Sequence, residues 1–126
     1  MYVPKHFAET DVANLHALVR AHSFATLVSL VDGELFATHV PLRLDAELGP
    51  LGTLVGHVAR ANPHARAFDG RARGLAIFHG PHAYVSPRWY ATAPNVPTWN
   101  YVAVNAAGVV SATTEGGGVG SLIGRS

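Results

Sequence analysis

The chain contains no cysteine. That excludes disulfides, thiolate metal sites and a cysteine nucleophile, and it agrees with a reducing cytoplasm. Charge is also scarce: Asp, Glu, Lys and Arg make up 13% of the 126 residues against 48% hydrophobic ones, where about a quarter charged is usual. So apolar a surface calls for cover, most simply by a second copy, and a homodimer is expected. The formal net charge of +1 provides no general field for a polyanion, so a DNA-binding role is not visible in composition. No charged n-region precedes an apolar h-region at the N-terminus, and no uncharged apolar run reaches the ~20 residues that span a bilayer. The chain reads as soluble, unexported and cytoplasmic, with no membrane partner.

Missing motifs narrow the chemistry further. Eight histidines invite a metal, yet His79 and His82 have no acid near them in sequence, and neither HExxH nor paired cysteines occur, so no metal site is expected. There is no G-x-S-x-G elbow to raise a serine nucleophile. After Asp69 the next acid is Glu115, and Arg71, Arg73 and Arg88 lie between them. That acid-free span tolerates a small anion.

What the chain does contain is a set of apolar, strand-like stretches with a few polar interruptions. Asp11 or Thr10 can cap a helix over residues 11 to 22, where Val12, Leu15, Leu18, Val19 and His22 follow the helical period. Residues 24 to 30 and 35 to 42 flank an Asp-Gly pair and read as a hairpin. A third strand follows at 53 to 58, and Asn62-Pro63 reads as the cap and first position of a short helix ending near Phe68. Further strands are expected at 74 to 80, 83 to 86 and 99 to 110. Residues 86 to 100, SPRWYATAPNVPTWN, are too apolar for a solvated linker and read as an ordered loop. The domain is assigned to residues 1 to 110, and residues 111 to 126, rich in Gly, Ser and Thr, read as a mobile tail.

Three segments carry candidate sites. In ATHVPL the strand alternation turns Thr38 and His39 to opposite sides, and Pro41 withholds a ladder donor, so hydroxyl and imidazole suit a ring edge or a phosphate. An ordinary strand threonine and a solvent-facing histidine explain the same residues. Arg60 and Asn62 sit where a strand passes into a helix, and a helix N-terminus favours an anion such as a phosphate monoester. A plain Asn-Pro cap beside a solvated arginine is the alternative. Trp89, Tyr90, Trp99 and Tyr101 suit ring stacking or an interface, and Asn100 offers amide donors and an acceptor to a heterocycle edge.

With those residues in view, the chain resembles the PaiB-type negative transcriptional regulators, an FMN-binding branch of the split-barrel flavoprotein superfamily. MYVPKHF, HSFATLVS, ATHVPL, GHVARANPHAR, IFHGPHAYVSPRWY and VPTWNY occur in the family's order over residues 1 to about 104. The resemblance implies a mainly β fold with flanking helices, a six-stranded Greek-key split barrel that dimerises around two FMN molecules. It implies that Thr38, His39, Val40 and Pro41, with Arg60, Ala61 and Asn62, hold the phosphate and ribityl chain. Trp99, Asn100 and Tyr101 would approach the isoalloxazine, with the other subunit as a source. DNA binding and repression are implied by the resemblance alone. Two rivals on the same barrel are a flavin-dependent oxidoreductase or flavin reductase, and a haem-binding protein using His39, His79 or His82. Val104-Asn105 stands where the family commonly has Val-His, and the Gly-rich ending reads as a departure from its helical C-terminal part.

Overall fold

A computed structural model describes residues 9–85, 98–113 and 119–125. The helix α1, Val12–Ala21, is capped by Asp11, whose carboxylate accepts the Ala13 amide at 2.9 Å. Seven strands follow: β1 Phe24–Val31, β2 Glu34–Pro41, β3 Arg43–Asp45, β4 Thr53–His57, β5 Asp69–Val85, β6 Thr98–Thr113 and β7 Val119–Arg125. They form one antiparallel sheet in the order β2-β1-β5-β6-β7-β4-β3. The mainly β architecture is the expected one, and among the described residues one α-helix and one short 3-10 helix, Pro63–Ala67, lie against it.

Local chemistry accounts for most of these elements. Asp32 and Gly33 both take positive φ, 51° and 82°, the geometry of a two-residue hairpin turn whose twist matches its strands. β1 buries Ala25, Leu27, Ser29 and Val31 and turns Phe24, Thr26, Val28 and Leu30 away. Its pairing with β2 sets Leu27 opposite Thr38 and Ser29 opposite Phe36, which puts Phe36, Thr38 and Val40 on the inner face. Phe78, Ala76, Val104 and Val110 join that face from β5 and β6, and Val19 of α1 and Phe68 close over it.

The sheet curls until β2 meets β4, although among the described residues no ladder joins the two. The seam closes on Gly56, where a methyl would come within 2.6 Å of Leu42 Cδ2 and 2.9 Å of the Pro41 carbonyl oxygen. This contact, consistent with a split-barrel fold, sits between the strand that carries Thr38 and the strand that leads to Arg60.

The structure departs from the sequence expectation in four places. Residues 69 to 85 form one long strand, bulged between His79 and His82 opposite Ala103 and Tyr101, rather than two short ones. Residues Arg43–Asp45, between the expected second and third strands, form a short strand, β3. β6 runs on to Thr113, and residues 119 to 125 form a strand between β6 and β4 where a mobile tail is expected. Among the described residues seven strands are present, against the six that the resemblance implies. Residues 86–97, with Trp89 and Tyr90, lie outside the described set, as does the side chain of Trp99.

Candidate functional site

β4 hands the chain through Arg60 and Ala61 to Asn62, whose side chain caps the 3-10 helix by accepting the His64 amide at 2.9 Å. That bond fixes the amide orientation: Oδ1 is the acceptor, so Nδ2 faces Thr38 and donates to its Oγ1 at 3.2 Å. The same hydroxyl lies 2.7 Å from His64 Nδ1. One strand residue and two residues of the passage thus form a closed polar cluster on the inner face.

His64 is the unexpected member. It is fully buried, 0% exposed, with its ring edge-on to Phe36 at 5.1 Å and tilted against Phe68 at 5.2 Å. Its Nε2 is buried with no hydrogen-bond partner among the described residues. Loss of hydration holds its pKa below the ordinary value of 6.5, so the imidazole is neutral near neutral pH. A histidine inside GHVARANPHAR carries no local sign of burial, so the sequence does not single it out. The signal available is its place directly after the Asn62-Pro63 pair, where the chain turns back onto the sheet.

The cap also corrects the helix-terminus reading. A single 3-10 helix of five residues has little dipole, and its first amides are occupied: His64 N by Asn62 Oδ1 and Ala65 N by the Asn62 carbonyl at 3.1 Å. Arg60 is exposed and forms no ion pair among the described residues, while the second Asn62 N–H and Thr38 are polar groups of the cluster itself. Arg66, by contrast, is committed to Asp32 at 2.8 Å and ties the 3-10 helix to the β1–β2 turn. Ala61 and Pro41 are exposed, and Val40 is a core residue at 4% exposure, so its side chain is withdrawn from any ligand.

His39 faces the other way, as alternation requires, and its Nδ1 lies 3.0 Å from Thr26 Oγ1. Thr26 pairs with Ile77 and Ile77 with Asn105, which sets a short polar row into an otherwise apolar outer face. Phe24, Leu30 and Leu35 on that face are 68%, 60% and 78% exposed. Asn100 and Tyr101 are exposed on β6. Two strands, β1 and β5, stand between β6 and β2, so roughly 14 Å of sheet separates them at the usual strand spacing. A single subunit therefore brings Thr38 and Asn62 together but leaves His39, Asn100 and Tyr101 elsewhere. Among the described residues, the cavity between α1 and the sheet, lined by Leu15, Val19, Leu54 and Val104, has a volume of about 40 Å³, too small for a flavin ring.

Residues 1–125 match the family model described as "Putative FMN-binding domain". The chain belongs to this FMN-binding family. It is 40% identical over 111 residues to the Bacillus subtilis "Protease synthase and sporulation protein PAI 2", an alignment covering 88% of this chain and 53% of that protein. An uncharacterized protein of Emericella nidulans is 33% identical over 140 residues, covering 87% of this chain and 56% of its own length. One of Saccharomyces cerevisiae is 26% identical over 130 residues, covering 86% and 76%. The chain spans about half the length of the first two relatives. The resemblance to the PaiB type is thereby borne out, and FMN is the family's cofactor. Thr38 Oγ1 and Asn62 Nδ2 are held 3.2 Å apart, a hydroxyl and an amide of the kind that donate to a phosphate monoester, and Arg60 is exposed two residues before Asn62. Among the described residues no cluster of His, Asp and Glu could hold a metal ion, and no helix is long and apolar enough to cross a membrane.

Proposed function

We propose that this chain is a PaiB-type flavin-binding module that grips the phosphate of FMN with Arg60, Thr38 and Asn62. The observation that carries the reading is the Thr38–Asn62–His64 cluster, held by hydrogen bonds of 2.7 to 3.2 Å, in a chain of the FMN-binding family. The backbone of Val40 and Ala61 flanks the ribityl chain, His39 and Pro41 lie on the opposite face of β2 toward the subunit partner, and Trp99, Asn100 and Tyr101 meet the isoalloxazine. Because those three are far along the sheet from Thr38, the ring end comes from a second copy, and the working unit is a homodimer. The exposed Phe24, Leu30 and Leu35 are the apolar face that such a copy would cover.

When bound, FMN supplies hydride or electron transfer, and the residues named here bind and orient it. A sporulation-linked regulatory role, as in the name of the Bacillus relative, with DNA as partner and the cytoplasm as compartment, belongs to the same proposal. Retardation of promoter DNA that weakens steeply with salt would support the DNA arm.

The test of the site is Arg60→Ala. Loss of a charged hydrogen bond to phosphate should weaken FMN binding by roughly 1 to 3 kcal/mol in a fluorescence-quenching titration. Riboflavin, which lacks the phosphate, should bind wild type and variant alike. FMN affinity unchanged by the substitution removes Arg60 from the site.

A further inference from the structure

His64 is the one titratable side chain among the buried polar residues Ser29, Thr53 and His64, and nothing in ligand binding yet uses it. Its hydrogen bonding is nonetheless determined by its neighbours. Because the His64 amide fixes Asn62 Oδ1 as an acceptor, Asn62 Nδ2 must donate to Thr38 Oγ1. The open question is the direction of the 2.7 Å contact between Thr38 Oγ1 and His64 Nδ1.

Each tautomer has a definite consequence. With the proton on Nε2, Thr38 would donate to Nδ1, and an N–H would be stranded in the apolar wall of Phe36 and Phe68, where Nε2 has no partner. With the proton on Nδ1, His64 donates to Thr38 and only a lone pair goes unmet. A buried donor without an acceptor is the rarer and costlier defect. The Nδ1–H tautomer therefore prevails, and the Thr38 oxygen receives two hydrogen bonds. Its own proton then has no acceptor within the described chain and is left for a ligand, and Thr38 is only half-buried.

We propose that His64 is a positioning residue which, by donating from Nδ1 to Thr38 Oγ1, makes the Thr38 hydroxyl a hydrogen-bond donor toward an acceptor oxygen of the ligand, the FMN phosphate. The proposal rests on the flavin reading above. It also assigns a specificity: Arg60, Asn62 Nδ2 and the Thr38 hydroxyl present donors only, a set matched to a phosphate, which only accepts.

Two measurements test it. Long-range proton–nitrogen NMR of wild-type protein labelled with ¹⁵N-histidine reads the tautomer directly, with the His64 signals assigned by their loss in His64→Asn. A protonated Nδ1 and an unprotonated Nε2 are expected, and the reverse pattern overturns the proposal. Titrations with FMN and riboflavin then compare His64→Leu, His64→Asn, Thr38→Val and the wild type. Thr38→Val and His64→Leu should each weaken FMN by about tenfold, the worth of one hydrogen bond to a charged group, and leave riboflavin unchanged. His64→Asn, whose amide N–H can stand in for Nδ1–H, should recover most of the loss. Equal losses for FMN and riboflavin, or no recovery by Asn, overturn the positioning role. If His64→Leu does not fold, Thr38→Val and the wild-type tautomer still decide. A wild type without FMN affinity overturns the flavin reading and the ligand named here together, whereas FMN binding alongside an Nε2–H imidazole overturns this proposal alone.

Discussion

Gly56→Ala tests the seam that brings β2 and β4 together. The added methyl would lie 2.6 Å from Leu42 Cδ2, 2.9 Å from the Pro41 carbonyl oxygen and 3.6 Å from Val40 Cγ2. Leu42 and Val40 are core residues, 3% and 4% exposed, so neither can swing into solvent, and the carbonyl belongs to the backbone. Overpacking of this kind costs about 1 to 3 kcal/mol, with the upper half of that range expected when backbone must move. Against it stands about 0.5 kcal/mol from the reduced freedom of the unfolded chain. The net is a destabilisation of about 2 kcal/mol, or roughly 30-fold in the ratio of unfolded to folded protein. Urea unfolding followed by circular dichroism measures it. Because the seam separates Thr38 from the passage carrying Arg60 and Asn62, FMN affinity should fall in the same variant even under conditions where it is folded. Gly33→Asn is the control: nothing lies within 4 Å of a Cβ there, and asparagine tolerates the positive φ of 82°. Wild-type stability in Gly56→Ala would refute the contact between β2 and β4, and with it the curl that assembles the site.

Two further outcomes follow from buried and exposed groups. Since burial lowers the His64 pKa from 6.5, the unfolded chain takes up a proton that the folded chain resists; stability is therefore full above about pH 6.5 and declines below it, at up to about 1.4 kcal/mol per pH unit, until the folded pKa is passed. Urea midpoints between pH 7.5 and 5 should show this slope in wild type and lose it in His64→Asn. Leu35, 78% exposed, costs little to change in a lone subunit, so Leu35→Asp should leave the thermal melt of the fold near wild type while weakening self-association by at least about tenfold in sedimentation; an unaltered association constant would put the dimer on another face.

Much of this arrangement is legible in the sequence because it depends on neighbours along the chain. Asp32-Gly33 announces the hairpin, since few other pairs accept two positive φ values. Asn62-Pro63 announces a cap, and ATHVPL announces that Thr38 and His39 diverge. The parts that escape reading depend on distant partners. β7 consists of residues whose pattern carries no alternation, and it becomes a strand because β6 and β4 leave a gap that backbone hydrogen bonds can fill. The two expected strands fuse into β5 because β6 pairs past the bulge at His79. His64 is buried only because the passage folds back over Phe36, a residue of the hairpin far away in sequence. For the same reason the expected amide cradle is occupied by Asn62 itself.

The divergence of Thr38 and His39 has a structural consequence beyond placing two side chains. β2 is at one end of the sheet, so its inner face is clamped by the 3-10 helix through Thr38 and its outer face presents His39 beside Thr26. Phosphate and subunit partner would thus press on opposite sides of one strand, separated only by the thickness of its backbone. A strand held on both faces loses the freedom to slide or peel that an end strand otherwise has. Ligand and second copy then favour the same conformation of β2, and each should raise the affinity for the other by the same factor, as linkage demands. On this argument FMN tightens self-association in wild type, and the effect depends on Thr38, because that hydroxyl is where the ligand's hold reaches the strand.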